Sequence, residues 1–140
     1  MRIIVCGGRD FSDREALFRV LDDLHSTHGF TLLVHGAARG ADRLAGEWAE
    51  ARGVTCKPMA ADWQMHGLRA GPVRNREMLR TCKPEIVVAF PGGSGTEHMI
   101  EISFKAGVRV HLVTNDQLQK KMSRADRIMA QTPRYEGRVG

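Results

Sequence analysis

A chain of 140 residues with 42% apolar and 26% charged side chains has the size and balance of one folded domain, which excludes disordered, fibrous and membrane-spanning classes. The net charge of +5 is uneven: residues 114–140 carry six Lys/Arg against three acids, while the other 113 residues carry 15 against 13. A nearly balanced body excludes a broad basic footprint, so any phosphate site must be local.

The first predicted element is a strand, Arg2 to Cys6 (RIIVC), a short apolar run ending in Gly7-Gly8 as expected of a central strand buried on both faces. The opening MRIIVCGG lacks the long apolar run and cleavage site of a signal peptide, and a cytoplasmic location is the expectation. Ser12-Asp-Arg-Glu15 forms a capping box with Phe11 and Ala16 as its staple, ahead of a helical stripe through Leu17, Val20, Leu21 and Leu24 that ends near Gly29. Phe30 to Val34 is a second strand. After His35-Gly-Ala-Ala-Arg-Gly-Ala-Asp42, Leu44, Ala45, Trp48 and Ala49 mark the core face of a second helix closing at Gly53.

Val54 to Met59 is a third strand, and Ala60 to Gly71, which lacks periodicity, is expected to be a loop of the kind that carries function. Pro72 suits the first turn of a helix through Val73, Met78, Leu79 and Cys82, followed by strand four at Glu85 to Phe90. Pro91-Gly-Gly-Ser-Gly-Thr96 opens a helix through Met99, Ile102, Phe104 and Ala106, and Val108 to Val113 is strand five. A basic extension then offers a short helix around Gln117 to Met129 before a disordered or partner-docked end.

This alternation predicts an α/β fold: a Rossmann-like three-layer sandwich with a mainly parallel sheet of about five strands over residues 1–113, and an extension over 114–140. Three cysteines without C-x-x-C spacing indicate neither a disulfide framework nor a zinc site, and six histidines without H-E-x-x-H give no metal motif. No metal and no cofactor are expected.

Three glycine-rich segments follow three predicted strands: Gly7-Gly-Arg-Asp10, His35 to Asp42 and Pro91 to Thr96. In a parallel sheet the carboxyl ends of the strands point the same way, so these loops converge on one crevice. Gly92-Gly93-Ser94-Gly95-Thr96 is the best candidate anion site, because absent Cβ atoms and a following helix N-terminus expose backbone N–H groups. It is neither a Walker loop nor G-x-G-x-x-G, which disfavours nucleoside triphosphate hydrolysis.

These segments, with Ala61-Asp-Trp63 and Ala70-Gly-Pro-Val-Arg-Asn-Arg-Glu-Met78, resemble the YspA branch, the YspA/cpYpsA-related family, of the SLOG superfamily over roughly residues 2 to 113. That superfamily is similar in fold to a Rossmann sheet and includes the Lonely Guy phosphoribohydrolases and the DNA-processing protein DprA. The resemblance implies a nucleotide or nucleotide-derived ligand and, from the related enzymes, a homodimer. The stripe Met78, Leu79 and Cys82 is open to either core or interface.

Lonely Guy enzymes carry R-K-x-x-M and P-G-G-x-G-T-x-x-E; here Asn75 replaces the Lys and Met99 stands where the Glu would be. Methionine can neither steady an oxocarbenium-like centre nor activate water. Asp10, Arg74 and Glu97 form the candidate catalytic set; of the nearby carboxylates that could replace the missing one, Glu97, Glu101, Asp10 and Asp42, Asp10 is preferred, since two residues rotate either glutamate roughly 200° from the direction of Met99. The candidate ligand-binding set is Gly8, Arg9, Gly36, Arg39, Gly40, Asp42, Trp63, Asn75, Met78, Gly92, Gly93, Ser94, Gly95 and Thr96, with Trp63 placed to stack on a base.

Three functions follow in order: hydrolysis of the N-glycosidic bond of a nucleoside 5′-monophosphate, non-catalytic sensing or carriage of a nucleotide-derived ligand such as ADP-ribose, and single-stranded DNA binding. The last is disfavoured by 6% aromatic content and the balanced body.

Overall fold

The structure, a computed structural model, describes residues 1–119. Five strands, β1 (Arg2–Cys6), β2 (Leu32–His35), β3 (Thr55–Pro58), β4 (Ile86–Ala89) and β5 (Arg109–Leu112), form one all-parallel sheet in the order β3-β2-β1-β4-β5. β1 and β4 are buried throughout apart from Arg2, and alternate side chains serve opposite faces. Ile3 and Val5 pack under α1 (Arg14–His28) and α2 (Ala41–Arg52), while Ile4 and Cys6 pack under α4 (Ala70–Cys82) and α5 (Ser94–Lys105). Two apolar layers, one on each side of the sheet, make the three-layer sandwich.

Strand order dictates where a crevice opens. The chain winds outward from β1 through α1 and α2 to β3, then returns through α4 to β4 beside β1 and continues outward through α5. The loops leaving β1 and β4 therefore diverge to opposite faces, the switch point at which open α/β sheets bind ligands.

Several local details differ from the sequence-based expectation. The N-cap of α1 is Asp13, whose Oδ1 accepts from Ala16 N–H at 3.0 Å, and not Ser12. Phe11 is not a staple to Ala16 across such a cap; its ring packs 5.3 Å from that of Phe90. The segment expected to be a loop from Ala60 to Gly71 folds as a single-turn helix α3 (Trp63–His66) capped by Asp62, then a 3-10 turn (Gly67–Arg69) running into α4. Phe104, assigned to the apolar face of α5, is 59% exposed. Met78 and Cys82 belong to the core beneath the sheet rather than to an open interface.

A four-residue helix α6 (Asn115–Leu118) closes the described chain, tied to α1 by Arg19 donating to the Gln117 carbonyl at 2.9 Å. The expected helix from Gln117 to Met129 and the basic end fall mainly or wholly outside the described residues. Among the described residues no helix is long and apolar enough to cross a membrane.

Candidate functional site

The loops after β1, β2 and β4 meet at the predicted switch point. Gly8 N–H donates to the Pro91 carbonyl at 2.8 Å, and Ala41 N–H donates to the Gly8 carbonyl at 3.1 Å, so the first loop bridges the other two. This approach requires Gly40: its φ is +77°, and a Cβ there would overlap the Gly8 carbonyl oxygen and meet that of Arg9 at 2.5 Å. Around this junction lies a cleft of about 990 Å³, at the upper end of the ordinary range for small-molecule sites.

Of the predicted residues, Gly8, Arg9, Asp10, Gly36, Asp42, Trp63, Arg74, Asn75 and Met78 line the cleft, as do all of Gly92, Gly93, Ser94, Gly95 and Thr96. Arg39, Gly40 and Glu97 do not. Arg39 turns outward and pairs with Asp10 at 3.2 Å, an ion pair whose side chains are 71% and 95% exposed. Glu97 is exposed on α5. Gly40 acts on the loops rather than on the cavity.

One wall is formed by the uncapped N-terminus of α5. The N-cap of α5 is Gly93, which supplies no side-chain cap, and the first intrahelical bond is donated by Glu97 N–H to the Gly93 carbonyl at 3.0 Å. The N–H groups of Ser94, Gly95 and Thr96 are therefore left without helical acceptors, at the positive end of the helix dipole. Thr96 lines the cleft and is only 7% exposed, yet its hydroxyl makes no hydrogen bond among the described residues.

The opposite wall holds Asp42 and Arg74 around Gly36. Asp42 is 6% exposed and accepts from Ala38 N–H at 3.2 Å. Burial pushes its carboxyl up from 3.8 to about 6, outweighing the Ala38 and Gly36 amides and the charges of Arg74 and Arg9. Arg74 donates to the Gly36 carbonyl and to Asn75 Oδ1 at 3.1 Å; burial pulls its pKa down while Asp42 opposes the shift. Any side chain at position 36 would collide with both, its Cβ 2.5 Å from Arg74 Nη1 and 2.9 Å from Asp42 Oδ2. Beneath them, burial and then Asp42 raise the Cys6 thiol to about 12, so it stays protonated.

Trp63 stands at the rim, 49% exposed, with the Arg9 guanidinium 5.5 Å from its ring centroid. Met99 is 1% exposed, shares its core layer with Met78, and lines the cleft with a thioether where the Lonely Guy pattern has a carboxylate.

Sequence reasoning missed His98, which also lines the cleft. Helical spacing was the available signal, since residue 98 lies three and four positions after Gly95 and Ser94 and so shares their face. Among the described residues no three His, Cys, Asp or Glu side chains cluster in a way that could hold a metal ion.

The sheet order, the divergent loops and the cleft between them define a Rossmann-like α/β protein with a cleft at the switch point. The model of the YspA, cpYpsA-related SLOG family matches residues 1–66. The Gene 61 protein of Mycobacterium phage D29 is 39% identical over 117 residues, covering 78% of this chain and 93% of that protein. The chain belongs to the YspA, cpYpsA-related SLOG family. Among solved structures, UDP-N-acetylglucosamine 2-epimerase matches with a TM-score of 0.51 at 14% identity, over 100% of this chain and 40% of the epimerase chain. At that identity the likeness is one of fold.

Proposed function

We propose that the cleft binds a phosphorylated nucleotide or nucleotide derivative, its phosphate over the first turn of α5 and its base toward Trp63. The observation that carries this reading is the α5 wall: three backbone N–H groups and the buried Thr96 hydroxyl, none with a partner among the described residues, lie along a cleft of nucleotide size. Arg9 and Arg74 add positive charge on the other sides. Calorimetric titration with AMP, ADP and ADP-ribose tests it, with adenosine as the phosphate-free control. Binding of at least one phosphorylated compound, much tighter than that of adenosine, is expected; equal binding of all four, or of none, removes the reading.

The site suits retention better than hydrolysis of the ligand. Met99 supplies no carboxylate, Asp10 is exposed and ion-paired, and Glu97 lies outside the cleft. A second reading, hydrolysis of a nucleoside monophosphate at its N-glycosidic bond, is favoured by one observation: Asp42 is a buried carboxyl in the cleft with a pKa of about 6, suited to acid-base work near neutrality. Chromatography of each incubated nucleotide separates the two readings. Recovery of intact ligand supports a sensor or carrier, whereas release of free base that disappears in Asp42→Asn supports the enzyme.

A further inference from the structure

Asn75 is 4% exposed and makes three polar contacts. Its Oδ1 accepts from Arg74 Nε at 3.1 Å, and its Nδ2 lies 3.1 Å from both the Gly95 carbonyl oxygen and His98 Nδ1. A guanidinium only donates and a carbonyl only accepts, so the amide has one orientation that satisfies both. Its oxygen meets Arg74, and its two N–H groups go to Gly95 and His98. His98 Nδ1 must then accept, which places the proton of the neutral ring on Nε2. Burial, followed by the charge of Arg76 and with Lys105 adding to it, lowers the His98 pKa against the opposing charge of Glu101, which favours the neutral ring.

Both donors of Asn75 are thus used inside the protein, leaving none to offer a ligand. His98, by contrast, lines the cleft with one ring nitrogen still unassigned, on the α5 face that carries the unpaired amides of Ser94 and Gly95. We propose that His98 is a ligand-contacting residue that donates from Nε2 to a phosphoryl oxygen of the bound nucleotide, and that Asn75 is the positioning residue holding it in donor form. The proposal rests on the phosphate reading above. It also accounts for an amide at position 75: a lysine there would have no acceptor for Arg74 and no fixed orientation toward His98.

The test combines histidine-ring 1H–15N NMR of the full chain with calorimetry using AMP and ADP-ribose, and adenosine as control. In the free protein His98 is expected as the Nε2–H tautomer, with that signal moving when AMP or ADP-ribose binds. His98→Ala and His98→Asn should weaken the phosphorylated ligands about tenfold or more, the worth of a hydrogen bond to a charged group. His98→Gln, whose amide nitrogen stands near the Nε2 position, should recover most of the loss, and adenosine should be unaffected throughout. Asn75→Ala should give mixed His98 tautomers and a partial loss.

A Nδ1–H tautomer in the free protein would overturn the role of Asn75. A His98→Ala variant that binds the phosphorylated ligands as wild type, while Thr96→Val loses them, would overturn the role of His98 and leave the phosphate reading standing. Equal affinity of wild type for phosphorylated and unphosphorylated ligands, or no binding of either, would remove both.

Discussion

Asp42 shows at the scale of one residue what enclosing a carboxyl costs in stability. Its carboxyl binds a proton more tightly in the folded state, at about 6, than at its ordinary value of 3.8. The associated stability is therefore fully present below pH 4 and is lost as pH rises through about 6. Asp42→Asn keeps the acceptor for Ala38 N–H without the buried charge. It should be more stable than wild type by about 3 kcal/mol at pH 8, with the difference vanishing near pH 4, as urea denaturation at the two pH values would show. A difference independent of pH would contradict the assignment. Gly40→Ala should act in the opposite sense, costing about 1–3 kcal/mol through its positive φ and more through overlap with the Gly8 carbonyl, read as a lowered Tm. Both residues stand in the His35 to Asp42 loop that the sequence singles out, while Asp10, the acid preferred from the sequence, stands in solvent. Charge and position along the chain do not reveal burial, and only the packed loops distinguish the exposed Asp10 from the enclosed Asp42.

Elements were legible where their apolar pattern was continuous. β1 and β4 read as buried strands because both faces are covered, and α1 and α2 end at Gly29 and Gly53, each in left-handed conformation. The cap of α1 was misplaced by one residue because Ser12 and Asp13 are both competent caps, and only the path of the preceding loop selects between them. Asp13→Ala should thus cost about 1 kcal/mol in chemical denaturation, whereas Ser12→Ala should stay within about 0.5 kcal/mol. Equal losses would contradict the observed cap. α3 was illegible for a different reason: a single turn of helix has no period to detect, and its Asp62 cap and its place beside the cleft are set by packing of the rim. Phe104 misled because an amphipathic count assigns every apolar residue to the core, while this one stands in solvent.

For the molecule as a whole, the sheet order places three loops, distant in sequence, around one cleft, and the first turn of α5 presents N–H groups without helical acceptors to it, the feature on which the proposed anion binding rests. The convergence of the loops could be anticipated, since parallel strands share a carboxyl edge. The network through Arg74, Asn75 and His98 could not, because it links helices α4 and α5, whose contacts exist only after the sheet has assembled. The most direct measurement is a backbone amide NMR titration with AMP and ADP-ribose. At least one of them should shift the N–H signals of Gly8 and of Gly93 to Thr96 in a saturable manner, with adenosine leaving the α5 amides in place. Saturable shifts confined to other parts of the molecule, or the same α5 shifts with adenosine, would contradict the account.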